Sequence, residues 1–267
     1  MQEVMDDLTV DGVLKDPQKL RIPVQSICPA FLRRKKKAAG KPKHLLTKHD
    51  VRLLINFSPI NDLIKDVPTP MPTPEEVFIT MGRFKFIIAF DLFNGFFQNH
   101  MSPDSFQWLG IMTPFGGMRV ITRSGQGLLG MSEEFNLLVR RILQEELQAG
   151  KCTQLIDDII VGGETRNETA ANYVAILEKL HRANLKIAAE KTHIFPESVD
   201  ILGWLWHQGG RLEPSPHRRN ALANMKQEDI KKVRDMRSWI GLYKTLRIAT
   251  PHIASILDPL EQAVADR

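Results

Sequence analysis

The chain has 267 residues, 43% of them hydrophobic, a formal charge of +5 and two cysteines. That much apolar content supports a sizeable core, in one elaborate domain or two to three subdomains, and excludes a disordered chain. Cys28 and Cys152 exclude a disulfide framework or a zinc site of the usual spacing and fit a reducing compartment, and no apolar run approaches the roughly 18 residues of a membrane span.

Residues 1–15 read as a lead-in helix, too acidic for a signal peptide, followed by an extended segment punctuated by Pro23 and Pro29. Phe31 and Leu32 begin a strand that enters a basic block: Arg33, Arg34, Lys35, Lys36, Lys37, Lys41, Lys43 and Lys48, with no acidic residue among them. Residues 51–57 supply the return strand, so the block is the tip of a hairpin suited to a polyanion; a solvated loop or a localisation signal is the blander alternative. Pro68, Pro70, Pro72 and Pro74 alternate in a way that favours polyproline-II geometry, a rigid connector into a short helix over residues 75–82.

Residues 84–91 form a nearly continuous apolar strand ending in Asp91, the pattern of a buried central strand with a reactive group at its end. A sharp turn at Asn94-Gly95 leads to Phe96 and Phe97. Residues 106–120 are β-like around a Pro114-Phe115-Gly116-Gly117 turn. Glycines 125, 127 and 130 then open a helix over residues 132–148 whose apolar face holds Phe135, Leu138, Val139, Ile142 and Leu147.

The run from Gln154 to Gly163 is apolar except for Asp157 and Asp158 in its middle. Asp is depleted in strands and rarely buried without a partner, so a hairpin with strands 153–156 and 159–162 is expected, the pair at its tip able to bind a divalent metal. An ordinary Asp-Asp turn is the alternative. An amphipathic helix over 169–184, the segment Leu185-Lys186-Ile187, a hairpin over 199–206 with Gly209-Gly210 after it, and a helical region over 215–267 complete the chain. In that last region residues 229–237 are highly charged, 239–246 apolar, and a final helix starts at Pro251.

One carboxylate ending a buried strand and two at a hairpin tip have a defined chemical use. Two divalent ions held there can deprotonate an attacking hydroxyl and stabilise a leaving pyrophosphate. Mg²⁺ suits this, since it takes carboxylates plus substrate phosphates.

The order of these pieces resembles the reverse transcriptase of gypsy-type LTR retrotransposons and, more distantly, the retroviral enzymes. Phe90 to Gln98 is similar to an Asp-Leu-x-x-Gly-Tyr-x-Gln catalytic motif, Gln126-Gly127-Leu128-Leu129-Gly130 to a Gln-Gly-x-x-Gly element, and Leu155-Ile156-Asp157-Asp158 to the Tyr-x-Asp-Asp box. Asn184-Leu185-Lys186 with Glu190-Lys191 resembles a palm motif carrying a lysine, Leu202-Gly203-Trp204 the primer-grip hairpin, and residues 236–242 the segment that follows it.

The resemblance implies an α+β right-hand polymerase fold: fingers and palm, a central antiparallel palm sheet backed by helices, and a C-terminal helical thumb-like region. Its implied divisions are residues 1–82 (lead-in and fingers hairpin), 83–123 (first part of the palm with a fingers insertion), 124–212 (palm with the Asp-Asp and primer-grip-like hairpins) and 213–267 (thumb or connection). It implies that Asp91, Asp157, Asp158 and the Leu92 carbonyl bind two Mg²⁺ ions, or Mn²⁺ in their place, with Lys191 as general acid. Lys35, Arg52, Phe96 and Gln126 would bind the nucleotide, Phe96 as steric gate; Gly127, Leu155, Gly203 and Trp204 would meet template and primer.

The implied partners are an RNA or DNA template with its primer, dNTPs, and the ribonuclease H and integrase segments of one polyprotein; the implied location is the cytoplasm, within retroelement particles. Leu155 departs from the usual Tyr, and Glu133-Glu134 from small apolar residues. A binding scaffold that has lost catalysis and an unrelated metal-dependent hydrolase are the competing readings. The hydrolase leaves Arg52, Gln126-Gly127 and the lysine-rich hairpin unexplained.

Overall fold

A computed structural model describes residues 2–65, 67–112, 117–224, 228, 230–247, 249–250 and 252–265. Among them three sheets form. The central one runs Cys152–Leu155, Asp158–Gly163, Phe86–Asp91, His193–Ile194, all antiparallel.

The continuous apolar run is explained by burial on both faces. Ile88 and Phe90 point with Ile159 and Val161 toward the helices Met131–Ile142 and Arg166–Arg182, into a core that includes Phe135, Val139 and Ile176. Ile87, Ala89 and Ile160 face the opposite way, against the helix Pro74–Met81 and the aromatic pair Trp204 and Trp206. A sheet covered on one side alone would alternate polar and apolar. The central strand is therefore fixed from both sides up to its last residue, Asp91.

A five-stranded sheet holds the basic hairpin: Leu14–Lys15, Met118–Ile121, Gly110–Met112, Ile27–Arg34 and Val51–Ile55. Its strands come from both sides of the central strand in sequence, so residues 110–121 join the N-terminal segment. The third sheet is the antiparallel meander Ser198–Ile201, Trp204–His207, Arg211–Pro214. Helices Pro216–Ala223, Val233–Lys244 and Ile253–Ala265 follow.

Several elements differ from the sequence expectation. The lead-in helix ends at Val10, because Gly12 takes φ +72° and Thr122 binds the carbonyls of Gly12 and Val13, turning Leu14–Lys15 into an edge strand. Phe106 to Trp108 lie in a 3₁₀ helix rather than a strand. The Pro114 turn lies mostly outside the described residues, as do Pro251 and Asp229. The expected helix over 132–148 breaks at Leu143 (φ −103°, ψ 17°) into Met131–Ile142 and Gln144–Gln148, with Leu143 buried at the joint. Arg166–Arg182 starts earlier than expected, because Thr165 accepts from the Glu168 amide as its N-cap.

Candidate active site

Asp91 is the last residue of the central strand, and its direct cross-strand neighbour is Asp158. Asp158 is thus the first residue of the returning strand, paired also with Leu155. The two-residue loop is Ile156-Asp157, one residue earlier than the sequence suggested. A loop of that length needs a positive φ at its first position, normally supplied by glycine. Here Ile156 holds φ +57°, a strained conformation for a β-branched residue.

Two buried amides hold that strain. Asn136, on the helix behind the hairpin, accepts through Oδ1 from the Ile156 amide at 3.0 Å and from Gln154 Nε2 at 2.9 Å; Gln154 Nε2 also donates to the Ile156 carbonyl at 2.6 Å. Both side chains are fully buried, and among the described residues Asn136 Nδ2 and Gln154 Oε1 find no hydrogen-bond partner. From the other side the Leu92 amide donates to the Asp157 carbonyl at 3.1 Å. Gly95 leaves the room: a Cβ there would lie 2.9 Å from the Phe135 ring and 3.3 Å from the Asp157 Cβ.

The electrostatics are set first by burial and then by crowded acid. Burial, then a hydrogen bond shared with Asp91, then the charges of Asp91 and Asp157 push the Asp158 carboxyl up to about 7. Burial, with a smaller contribution from the Asp91 charge, also raises Asp157. Lys191 Nζ lies 2.7 Å from Asp91 Oδ2, and this hydrogen bond, against some burial, raises the lysine. Three acids therefore face one ammonium.

No group of three or more His, Cys, Asp or Glu side chains among the described residues forms a ready cage for a metal. The donor set still fits Mg²⁺, which accepts one or two protein carboxylates and leaves its other positions to water and substrate phosphates. Three carboxyl groups against one ammonium favour a divalent cation. A cavity of about 360 Å³ opens beside the cluster, lined by Asp91, Asp158 and Lys191 and by Val199, Ile201 and Leu202 of the meander.

The flanking parts carry opposed basic residues and an exposed loop. In the basic hairpin Arg33 sits directly opposite Arg52, a like-charge pair that destabilises a bare sheet and that an anion relieves. Lys41 is committed to Asp50 at 2.6 Å and Lys48 to Asp7 at 2.8 Å; among the described residues no ion pair engages Arg33, Lys35 or Arg52. Gln126 and Gly127 are exposed. Asn61 clamps their loop, donating to the Gly127 carbonyl at 3.0 Å and accepting from the Leu129 amide at 2.9 Å. Phe96 is half-buried, its ring 5.6 Å from that of Phe135.

A profile of the family described as reverse transcriptase (RNA-dependent DNA polymerase) matches residues 34–205. The chain belongs to this family. It is 28% identical over 212 residues to the retrovirus-related Pol polyprotein from transposon gypsy of Drosophila melanogaster, covering 78% of this chain and 20% of that protein. To the Pol polyprotein from transposon opus, also of Drosophila melanogaster, it is 25% identical over 97% of this chain and 24% of the relative. The chain thus spans about a fifth to a quarter of the length of these relatives. The fold is that of the foamy viral protease-reverse transcriptase: the structure with double-stranded DNA aligns at TM-score 0.80, 20% identity, over 100% of this chain and 43% of that one. The complex with an RNA/DNA hybrid aligns at 0.75, 20% identity, over 100% and 33%.

Set in the reverse transcriptase fold, the residues that the sequence singled out fall in separate places. Asp91, Leu92, Asp157, Asp158 and Lys191 are brought together; Arg52 lies on the separate five-stranded sheet with Lys35 just past the end of its strand Ile27–Arg34, and Gln126 and Gly127 lie on the loop clamped by Asn61. Trp204 lies in the core. The residue is 2% exposed and its ring lies 5.5 Å from that of Phe78, so it anchors the Leu202-Gly203 turn to the core. The accessible part of that turn is Leu202-Gly203, both with positive φ, +53° and +76°. Arg218 grips it, donating to the Leu202 carbonyl at 2.9 Å and to the Thr245 carbonyl at 3.2 Å while lying 5.5 Å over the Trp204 ring.

Asn136, Gln154, Asn61 and Arg218 were missed by sequence reasoning. Asn136 had a signal, a polar residue beside Phe135 on an otherwise apolar helix face. Gln154 had one too, a polar residue at an inward strand position. Arg218 had none, since a basic residue in a charged helix reads as solvated.

Proposed function

We propose that this chain is the polymerase portion of a retroelement Pol polyprotein, an RNA-directed DNA polymerase that extends a primer 3′-OH with dNTPs. The observation that carries the reading is the Asp91–Asp158 cross-strand pair, with Asp157 in the adjoining turn and Lys191 at 2.7 Å from Asp91. Asp91, Asp157, Asp158 and the Leu92 carbonyl would hold two divalent ions, Mg²⁺ or Mn²⁺, which supply Lewis-acid activation of the hydroxyl and charge stabilisation of the leaving group.

The chain's own residues do the rest. Lys191, kept protonated by its acidic neighbours, delivers a proton to the departing pyrophosphate. Lys35 and Arg52 draw the triphosphate to the fingers, where the opposed Arg33 and Arg52 gain by neutralisation. Phe96, braced by Phe135, crowds a ribose 2′-OH; Gln126 touches the nucleotide; Gly127, Leu155 and Gly203 border template and primer. The similar foamy viral proteins are described in complex with double-stranded DNA and with an RNA/DNA hybrid, which supports a primer–template as partner. Ribonuclease H and integrase segments of the same polyprotein are further partners, within cytoplasmic retroelement particles; no helix among the described residues is long and apolar enough to cross a membrane.

The test is extension of oligo(dT) on poly(rA) with dTTP and Mg²⁺, beside a variant carrying Asp157→Ala and Asp158→Ala. Extension by the parent and at least about a thousand-fold less by the variant, some 4 kcal/mol of barrier, is expected. A silent parent that still binds primer–template in a salt-dependent way would make the chain a binding scaffold.

A further inference from the structure

Beyond Asp91 the chain leaves the central sheet and runs beside residues 186–188. Leu92 bridges Ile187, the Phe93 amide donates to the Lys186 carbonyl at 2.9 Å, and the Ala188 amide to the Asp91 carbonyl at 2.9 Å. This short ladder joins the metal end of the site to the segment that carries Lys191. It has one rung that is not backbone. The Gln98 carboxamide accepts from the Lys186 amide at 2.6 Å and donates to the Lys186 carbonyl at 2.9 Å and the Phe93 carbonyl at 2.6 Å.

A side-chain amide that takes both the N–H and the C=O of one residue stands in for a peptide group of a paired strand. Its orientation is fixed, because one partner is a donor and the other two are acceptors. Gln98 also closes the loop from Phe93, so that the helical turn Gly95–Gln98, with Phe96 on it, is tied at its far end to the same Lys186 that pairs with Phe93. At its near end the turn is pressed onto Phe135 through Gly95.

We infer that Gln98 is a positioning residue that sets Phe96 against the metal-binding end of the site, and that it thereby governs selection between deoxy- and ribonucleotides without touching either. The inference rests on the polymerase reading. A steric gate discriminates only if its ring is held to within a fraction of an ångström, and misplacement of that order changes rates by one to two orders of magnitude. Glu at this position would set a carboxylate oxygen against two carbonyls, and Met of similar length would offer neither donor nor acceptor.

The experiment compares the parent with Gln98→Met and Gln98→Glu in two readouts. Hydrogen exchange is followed at the Lys186 amide, with Ile88 and Ala89 of the central strand as internal references for global opening. The ratio of kcat/KM for dTTP to that for rUTP is measured on one primer–template. In both variants the Lys186 amide is expected to exchange at least roughly ten-fold faster relative to the references, and the preference for dTTP to fall roughly ten-fold. Unchanged protection of Lys186, or accelerated exchange with the parent's nucleotide preference intact, overturns the inference. A parent that extends no primer fails the polymerase reading instead, and exchange at Lys186 still decides whether Gln98 makes the bridge.

Discussion

Asp158→Asn will abolish primer extension and, in the absence of divalent ions, raise the melting temperature above that of the parent at pH 8. The two effects have one origin. Asp158 is partly buried, beside two other acids, and burial first, then these neighbours, push its carboxyl up to about 7 in the folded chain, against an ordinary value of 3.8. Between these values the folded state holds a proton that the unfolded state has released. Stability from this group is therefore fully present below pH 4 and is lost as pH rises toward and through 7.

Asn cannot ionise, keeps the shape, and can donate to Asp91 as the protonated acid does. The parent's melting temperature, measured with a chelator, should fall between pH 4 and 8 while the variant's stays flatter, the gap at pH 8 reaching about 5 °C for a stabilisation of about 2 kcal/mol. Catalysis needs the opposite protonation state, the carboxylate, so extension should drop about a thousand-fold or more. Equal pH dependence in the two proteins, or residual extension near the parent rate, would show that Asp158 is not held as described.

Asn136→Leu should destabilise the chain by about 2–4 kcal/mol and slow turnover at least about ten-fold. A single buried oxygen accepts from the Ile156 amide and from Gln154, and its loss leaves the Ile156 amide without that acceptor in the interior. That amide belongs to the strained residue of the loop, so the turn is free to relax from φ +57°, and Asp157 moves with it. Urea denaturation gives the first number and steady-state extension the second. A stability loss with kcat unchanged would reduce Asn136 to a packing residue and release the turn from its claimed dependence on it.

The parts legible in the sequence were those with a local chemical signature. A carboxylate at the end of an apolar strand, an Asp pair inside a β run and a lysine block at a hairpin tip each break a local rule, and the fold puts the first two side by side. What stayed hidden depended on register and on distant partners. Whether Asp158 sits in the loop or starts the strand turns on one residue, and it is decided by Asn136 and Leu92, neither adjacent in sequence. The burial of Trp204 stayed hidden because a hairpin of alternating Trp residues does not say which face is covered; the helix Pro74–Met81 decides that. Likewise the break at Leu143 leaves the amphipathic pattern intact on both sides, so periodicity could not show it.

We propose Asp91, Asp157 and Asp158 as the metal site of a polymerase. It is tested most directly by counting Mn²⁺ bound, by paramagnetic resonance, to the chain with a dideoxy-terminated primer–template and the matched dNTP. Two ions per chain are expected for the parent, with the count falling in the Asp157→Ala, Asp158→Ala variant although primer–template still binds. An unchanged count in that variant would place the metal elsewhere and contradict the account.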